Sequence, residues 1–198
     1  QGNYTLDELN ERFDELHGLF PNIISNRVVI GQSVEGRDIW AFKVSDNPNV
    51  DEDEPEVLYT ALTHSREPLG MMNLIYFVQL LAEEQNSNPE FEYLISNREM
   101  WFIPVINPDG YAYNESIEPT GGGMHRKNRL NTNCGNGSNR GVDLNRNYGF
   151  GWGSNDIGSS PNPCSATYRG DVEFSEPETQ AVRDFIINHD FNLSLIHI

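Results

Sequence analysis

Between residues 57 and 106 a short apolar run, a long helix-like segment and a second short apolar run follow one another, and that order leaves few folds open. Val57 to Leu62 and Met100 to Ile106 have the length of strands, and Leu69 to Glu84 that of a helix. Strands alternating with helices predict an α/β sheet. In such sheets ligands gather beyond the carboxyl ends of the strands. The residues after Leu62, after Ile106 and after Ile196 are therefore the places to inspect.

The rest of the chain extends the pattern. Thr5 and Glu8 form a capping-box pair, and Leu6, Leu9, Phe13 and Leu16 recur at helical spacing, with Pro21 beyond the end. Val28 to Ile30 and Ile39 to Val44 read as strands flanking a turn at Val34-Glu35-Gly36-Arg37. Gln85 to Pro89 reads as a polar stretch, and Asn107-Pro108-Asp109-Gly110 as a turn ending its strand. Residues 114 to 175 are rich in Gly, Asn and Ser with little periodicity, as expected of a functional loop region. Ser175 and Glu178 form a second capping box with Pro177 in the first turn. A helix should run from there to about His189, followed by a strand from Phe191 to Ile196.

With 37% hydrophobic and 11% aromatic residues over 198 positions, the chain has the composition of one folded domain. Its 13 basic and 30 acidic side chains give a formal charge of −17, which argues against nucleic-acid binding. No apolar run approaches the roughly 18–20 residues of a membrane span, and no signal peptide is visible at Gln1. Cys134 and Cys164 are too isolated for a zinc site. A disulfide is the preferred reading, worth roughly 3–4 kcal/mol and implying an oxidising compartment; two free buried thiols are the alternative. Sequons at Asn3, Asn114, Asn136 and Asn192 matter only in a glycosylating host.

Three features carry chemistry. His64 and Glu67 stand three apart directly after a strand, so one turn puts both on one side. A neutral imidazole and a carboxylate are ordinary zinc ligands, although a surface His beside a helix-starting Glu has the same spacing. Between residues 126 and 146 lie Arg126, Lys127, Arg129, Arg140 and Arg146 against one acid, Asp143, a reversal of the overall charge that suggests an anion site. Finally, Gly141-Val142-Asp143-Leu144-Asn145-Arg146-Asn147 reads as a strand running into a site.

His64-Ser65-Arg66-Glu67, Asn107-Pro108-Asp109-Gly110-Tyr111, Arg126-Lys127-Asn128-Arg129 and Gly141 to Asn147, in this order and spacing, resemble the zinc-dependent metallocarboxypeptidases. The resemblance implies a single α/β domain with a mixed, mostly parallel twisted sheet flanked by helices. It implies one zinc ion held by His64 and Glu67, with Asp143 orienting the imidazole. Asn145 and Arg146 would hold the free C-terminal carboxylate of a peptide, Arg129 would polarise the scissile carbonyl, and Arg66 would contact substrate nearby. Cys134 and Cys164 fall where some family members have a disulfide. His197 is the candidate third ligand, although it stands one position early for the family pattern, and such a shift turns a strand side chain to the other face.

The same resemblance implies a monomeric, secreted or extracytoplasmic enzyme acting on peptides with free C-termini. It makes residues 1–198 the N-terminal two-thirds of a catalytic domain, ending before the substrate-binding Tyr and the Glu base, so that this chain alone is expected to be inactive. Two alternatives remain: a pseudo-peptidase that grips C-termini without hydrolysis, and a zinc deacylase of N-acyl amino acids.

Overall fold

The computed structural model describes residues 2–137 and 139–197, with Ile196 and His197 described by their backbone alone. Five strands, β1 (Val28–Gln32), β2 (Asp38–Val44), β3 (Glu56–Ala61), β4 (Glu99–Ile103) and β5 (Phe191–His197), form one sheet in the order β1-β2-β4-β3-β5. The sheet is mixed. β1 with β2 and β2 with β4 are antiparallel, while β3 lies parallel to both β4 and β5.

Among the described residues five α-helices accompany it: α1 (Leu6–Leu19), α2 (Leu69–Glu84), α3 (Pro89–Ile95), α4 (Pro108–Ile117) and α5 (Pro177–Ile187). Strand alternation sorts the core into two layers. Phe42, Met100 and Phe102 face α1 and α2, packing with Leu9, Phe13, Leu74 and Val78. Ile39, Ala41, Leu58 and Ile103 face the other way, onto Leu144, Ala181 and Val182. Gly31 is required where β1 meets α5, because a Cβ there would lie 2.6 Å from Cβ of Ala181. Among the described residues no helix is long and apolar enough to cross a membrane.

The structure corrects several local expectations. Asn107-Pro108-Asp109-Gly110 opens α4 rather than forming a free turn. Asn107 Oδ1 accepts the Gly110 N–H at 3.0 Å, and Pro108 takes the first helical position, where its missing N–H costs nothing. The polar stretch after Gln85 leads into α3, capped by Asn88 with Pro89 following. Glu176, not Ser175, precedes the first turn of α5; Ser175 Oγ donates to the Glu176 carboxylate at 2.7 Å, and Glu178 accepts the Val34 N–H at 3.1 Å. The Val142 segment is no strand: Asp143 caps a short 3-10 turn at Leu144–Arg146.

The loop region is tied down by specific bonds. Cys134 and Cys164 form a disulfide with Cα atoms 5.3 Å apart. The buried Lys127 ammonium donates to the carbonyls of Asn139 at 2.7 Å and Ser165 at 2.8 Å. Burial pulls its pKa down to about 8. Asn114 is no glycan acceptor in this fold, because it is buried and its side chain bonds Ser65 and His125. The Asn136 sequon includes Ser138, which lies outside the described residues.

Candidate metal and substrate site

The site begins where β3 ends. Leu62 adopts a positive φ of 54°, a conformation that is uncommon outside glycine and turns the chain sharply. The Glu67 N–H then donates to the His64 carbonyl at 3.0 Å, closing a turn that brings both side chains to one side. His64 Nδ1 lies 2.8 Å from Glu67 Oε2, and His64 Nε2 lies 3.0 Å from Asp143 Oδ1. His64 and Asp143 are buried, and Glu67 is partly open.

Three segments distant in sequence meet here. The Ser65 N–H donates to the Arg126 carbonyl at 3.2 Å, which fastens the His64 turn to the basic segment. Asn128 and Val142 exchange bonds, with Asn128 N–H to Val142 O at 3.0 Å and Val142 N–H to Asn128 Oδ1 at 2.8 Å. Gly141 makes that approach possible: its φ is +93°, and a Cβ would sit 2.0 Å from the Asn128 carbonyl oxygen. The Asp143 N–H is held by the Tyr168 carbonyl at 2.8 Å.

Arg126 completes the arrangement. Its guanidinium donates to Asp143 Oδ2 at 3.1 and 3.2 Å and to Glu67 Oε1 at 3.4 Å. Burial of Asp143 opposes ionisation, but the His64 hydrogen bond and the Arg126 charge outweigh it and hold the carboxyl below its usual range.

The donor set fits zinc. A neutral imidazole carries one N–H. With that proton directed to Asp143, Nδ1 presents its lone pair towards a carboxylate oxygen, and two facing acceptors suit a shared cation. Among the described residues no group of three or more His, Cys, Asp or Glu side chains is arranged to hold a metal. β5 sets the His197 backbone beside Ala61, and the His197 side chain lies outside the described residues.

The remaining candidates separate. Arg129 does not join the cluster. Its guanidinium stacks 3.8 Å over the Tyr113 ring, lies 3.9 Å from Glu35 and donates to the Asn136 carbonyl at 3.4 Å. Burial, reinforced by the charge of Arg140, lowers its pKa. Arg140 in turn donates to the Arg129 carbonyl at 3.0 Å. Lys127, Arg129 and Arg140 thus serve the loops, and the basic island is not one anion site. Asn145 and Arg146 line a separate pocket of about 410 Å³ together with Tyr148 and Phe150. Arg146 is held by the Gly158 carbonyl at 2.7 Å and the Asn145 carbonyl at 2.9 Å. Arg66 is exposed and lines another cleft.

Nothing in the sequence marks Arg126 out individually. The motif contains two arginines three apart, and only the direction of the backbone distinguishes them.

The zinc carboxypeptidase family model matches residues 9–196. A zinc carboxypeptidase of Saccharothrix mutabilis subsp. capreolus is 39% identical over 149 residues, 75% of this chain and 32% of that protein. Rat (Rattus norvegicus) carboxypeptidase A1 is 33% identical over 189 residues, 94% of this chain and 42% of its own length. The crystal structure of carboxypeptidase A from Helicoverpa armigera superposes with a TM-score of 0.82 at 33% identity, covering 98% of this chain and 45% of that one. The chain therefore spans less than half the length of these relatives. With the model matched along nearly all of it and carboxypeptidases similar in both sequence and structure, the chain belongs to the zinc carboxypeptidase family.

Proposed function

We propose that residues 1–198 are the N-terminal two-thirds of the catalytic domain of a secreted, monomeric zinc carboxypeptidase, which removes the C-terminal residue of peptides bearing a free carboxylate. The observation that carries this reading is the turn pairing His64 with Glu67, with Asp143 and Arg126 packed against it.

His64 and Glu67 would hold one zinc ion, with His197 as the candidate third ligand. Zinc supplies Lewis acidity and activates water for hydrolysis. Asp143 fixes the imidazole tautomer and ring orientation through Nε2. Arg126 takes the role that the sequence assigned to Arg129: its guanidinium stabilises negative charge developing on the scissile carbonyl oxygen. Asn145 and Arg146 bind the terminal carboxylate, and a substrate lacking it would leave them unpaired. Arg66 contacts the peptide on the other side of the cleaved bond. The disulfide supports an extracytoplasmic setting.

The test is metal binding. Dialysed chain should bind one equivalent of zinc, and Glu67→Gln should weaken that binding at least tenfold. Unchanged zinc affinity in a folded variant would remove Glu67, and with it this reading of the site.

A further inference from the structure

We infer that the open cleft beside Arg66 receives the part of a substrate peptide upstream of the scissile bond and selects basic side chains there. This rests on the carboxypeptidase reading above. The cleft has a volume of about 840 Å³ and lies between the N-terminal residues 2–5 and the loop 118–124. Ser65 and Arg66 form part of its wall, and both belong to the turn that carries His64 and Glu67. On that reading, a peptide held by its last residue at Arg146 with its scissile bond at His64 would pass Arg66 and enter this space.

Two independent features suit such an occupant. The first is main chain. Gly122, Gly123 and Met124 lead irregularly into Arg126, and among the described residues none of their N–H or C=O groups takes part in a hydrogen bond. Unpaired backbone along a groove is what an extended peptide pairs with. The strip is pressed onto α4, where a Cβ on Gly123 would lie 2.5 Å from Asn114.

The second feature is charge. Glu8, Glu115 and Glu118 line the cleft, and among the described residues Arg66 is the single cation lining it. Glu115 is half-buried and accepts the Leu6 N–H at 2.8 Å. Burial, with Asp7 and Glu8 nearby, raises its pKa. A cationic side chain would relieve that crowding. Tyr4, Met72 and Tyr111 offer apolar surface to the aliphatic stem of a lysine or arginine.

The experiment uses this chain with zinc present and fluorescent pentapeptides sharing one free C-terminal residue. The three residues before it are all Lys, all Ala or all Glu. Anisotropy should show the Lys peptide binding about five- to twentyfold tighter than the Glu peptide, with the gap shrinking in 0.5 M salt. Glu118→Lys, at an exposed position, should remove most of the discrimination and leave zinc binding unchanged. Asp53→Lys, the same charge change elsewhere, should not. Equal binding of the three free-carboxylate peptides, or identical effects of the two variants, overturns the inference. Amidated peptides binding as well as free ones, or no peptide binding, overturns the carboxypeptidase reading and this inference with it.

Discussion

Replacing Glu178 with Gln should change how stability depends on pH. Glu178 is fully buried in the first turn of α5. Its carboxylate meets the Val34 N–H at 3.1 Å and Asn128 Nδ2 at 3.1 Å, and the same Nδ2 donates to Glu176 at 2.6 Å. Burial raises the Glu178 pKa from an ordinary 4.5 to about 7, with the neighbouring Glu176 adding to the rise. The folded protein therefore keeps a proton that the unfolded chain releases. As pH rises from 4.5 towards 7, the unfolded state gains relative to the folded one, and stability falls. That gap corresponds to on the order of 3 kcal/mol, with no further loss from this group above its folded pKa. Gln carries no titrating proton, so the loss disappears. Denaturant unfolding of both proteins at intervals from pH 4.5 to 8 measures the difference directly. Relative to its own value at pH 4.5, Glu178→Gln should gain on the parent by roughly 2–4 kcal/mol by pH 7.5. A difference that stays flat across that window would refute the reasoning, because it would mean the buried carboxyl does not hold its proton.

Other outcomes follow from the same geometry. In the complete enzyme, Arg126→Ala should lower kcat by roughly 10²–10³, whereas Arg129→Ala should leave kcat nearly unchanged and lower the melting temperature; steady-state kinetics and thermal unfolding on both variants check this. Reducing and alkylating Cys134 and Cys164 should destabilise the fold by roughly 3–4 kcal/mol, read from urea unfolding. Gly141→Ala should destabilise by more than about 2 kcal/mol, because it combines a left-handed backbone with a collision against Asn128; a neutral effect would show that the 128–142 pairing is loose.

Much of the scaffold was legible because its signals are local. The Thr5–Glu8 capping box is present as read, with the Glu8 N–H to Thr5 Oγ1 bond at 3.1 Å. β2 and β4 are buried on both faces along most of their length, in keeping with their largely apolar runs. What stayed hidden depended on direction or partners. Asn-Pro-Asp-Gly is equally good chemistry for a turn and for a helix start, and only the downstream residues Tyr111 to Ile117 decide. Ser175 and Glu178 have capping-box spacing, yet Glu178 is drawn away by Val34, a residue 144 positions distant. Arg126 and Arg129 could not be ranked because the backbone at 126–130 is irregular, so no simple alternation assigns their faces. Buried pairs such as Lys43 with Glu99, at 2.6 Å, likewise join separate strands and carry no local signature.

The contact between His64 and Asp143 closes a loop of 79 residues. Gathering ends so far apart has an entropic cost that neighbouring residues do not meet, so the imidazole gains its fixed orientation late in folding. During synthesis His64 leaves the ribosome long before its orienting carboxylate exists.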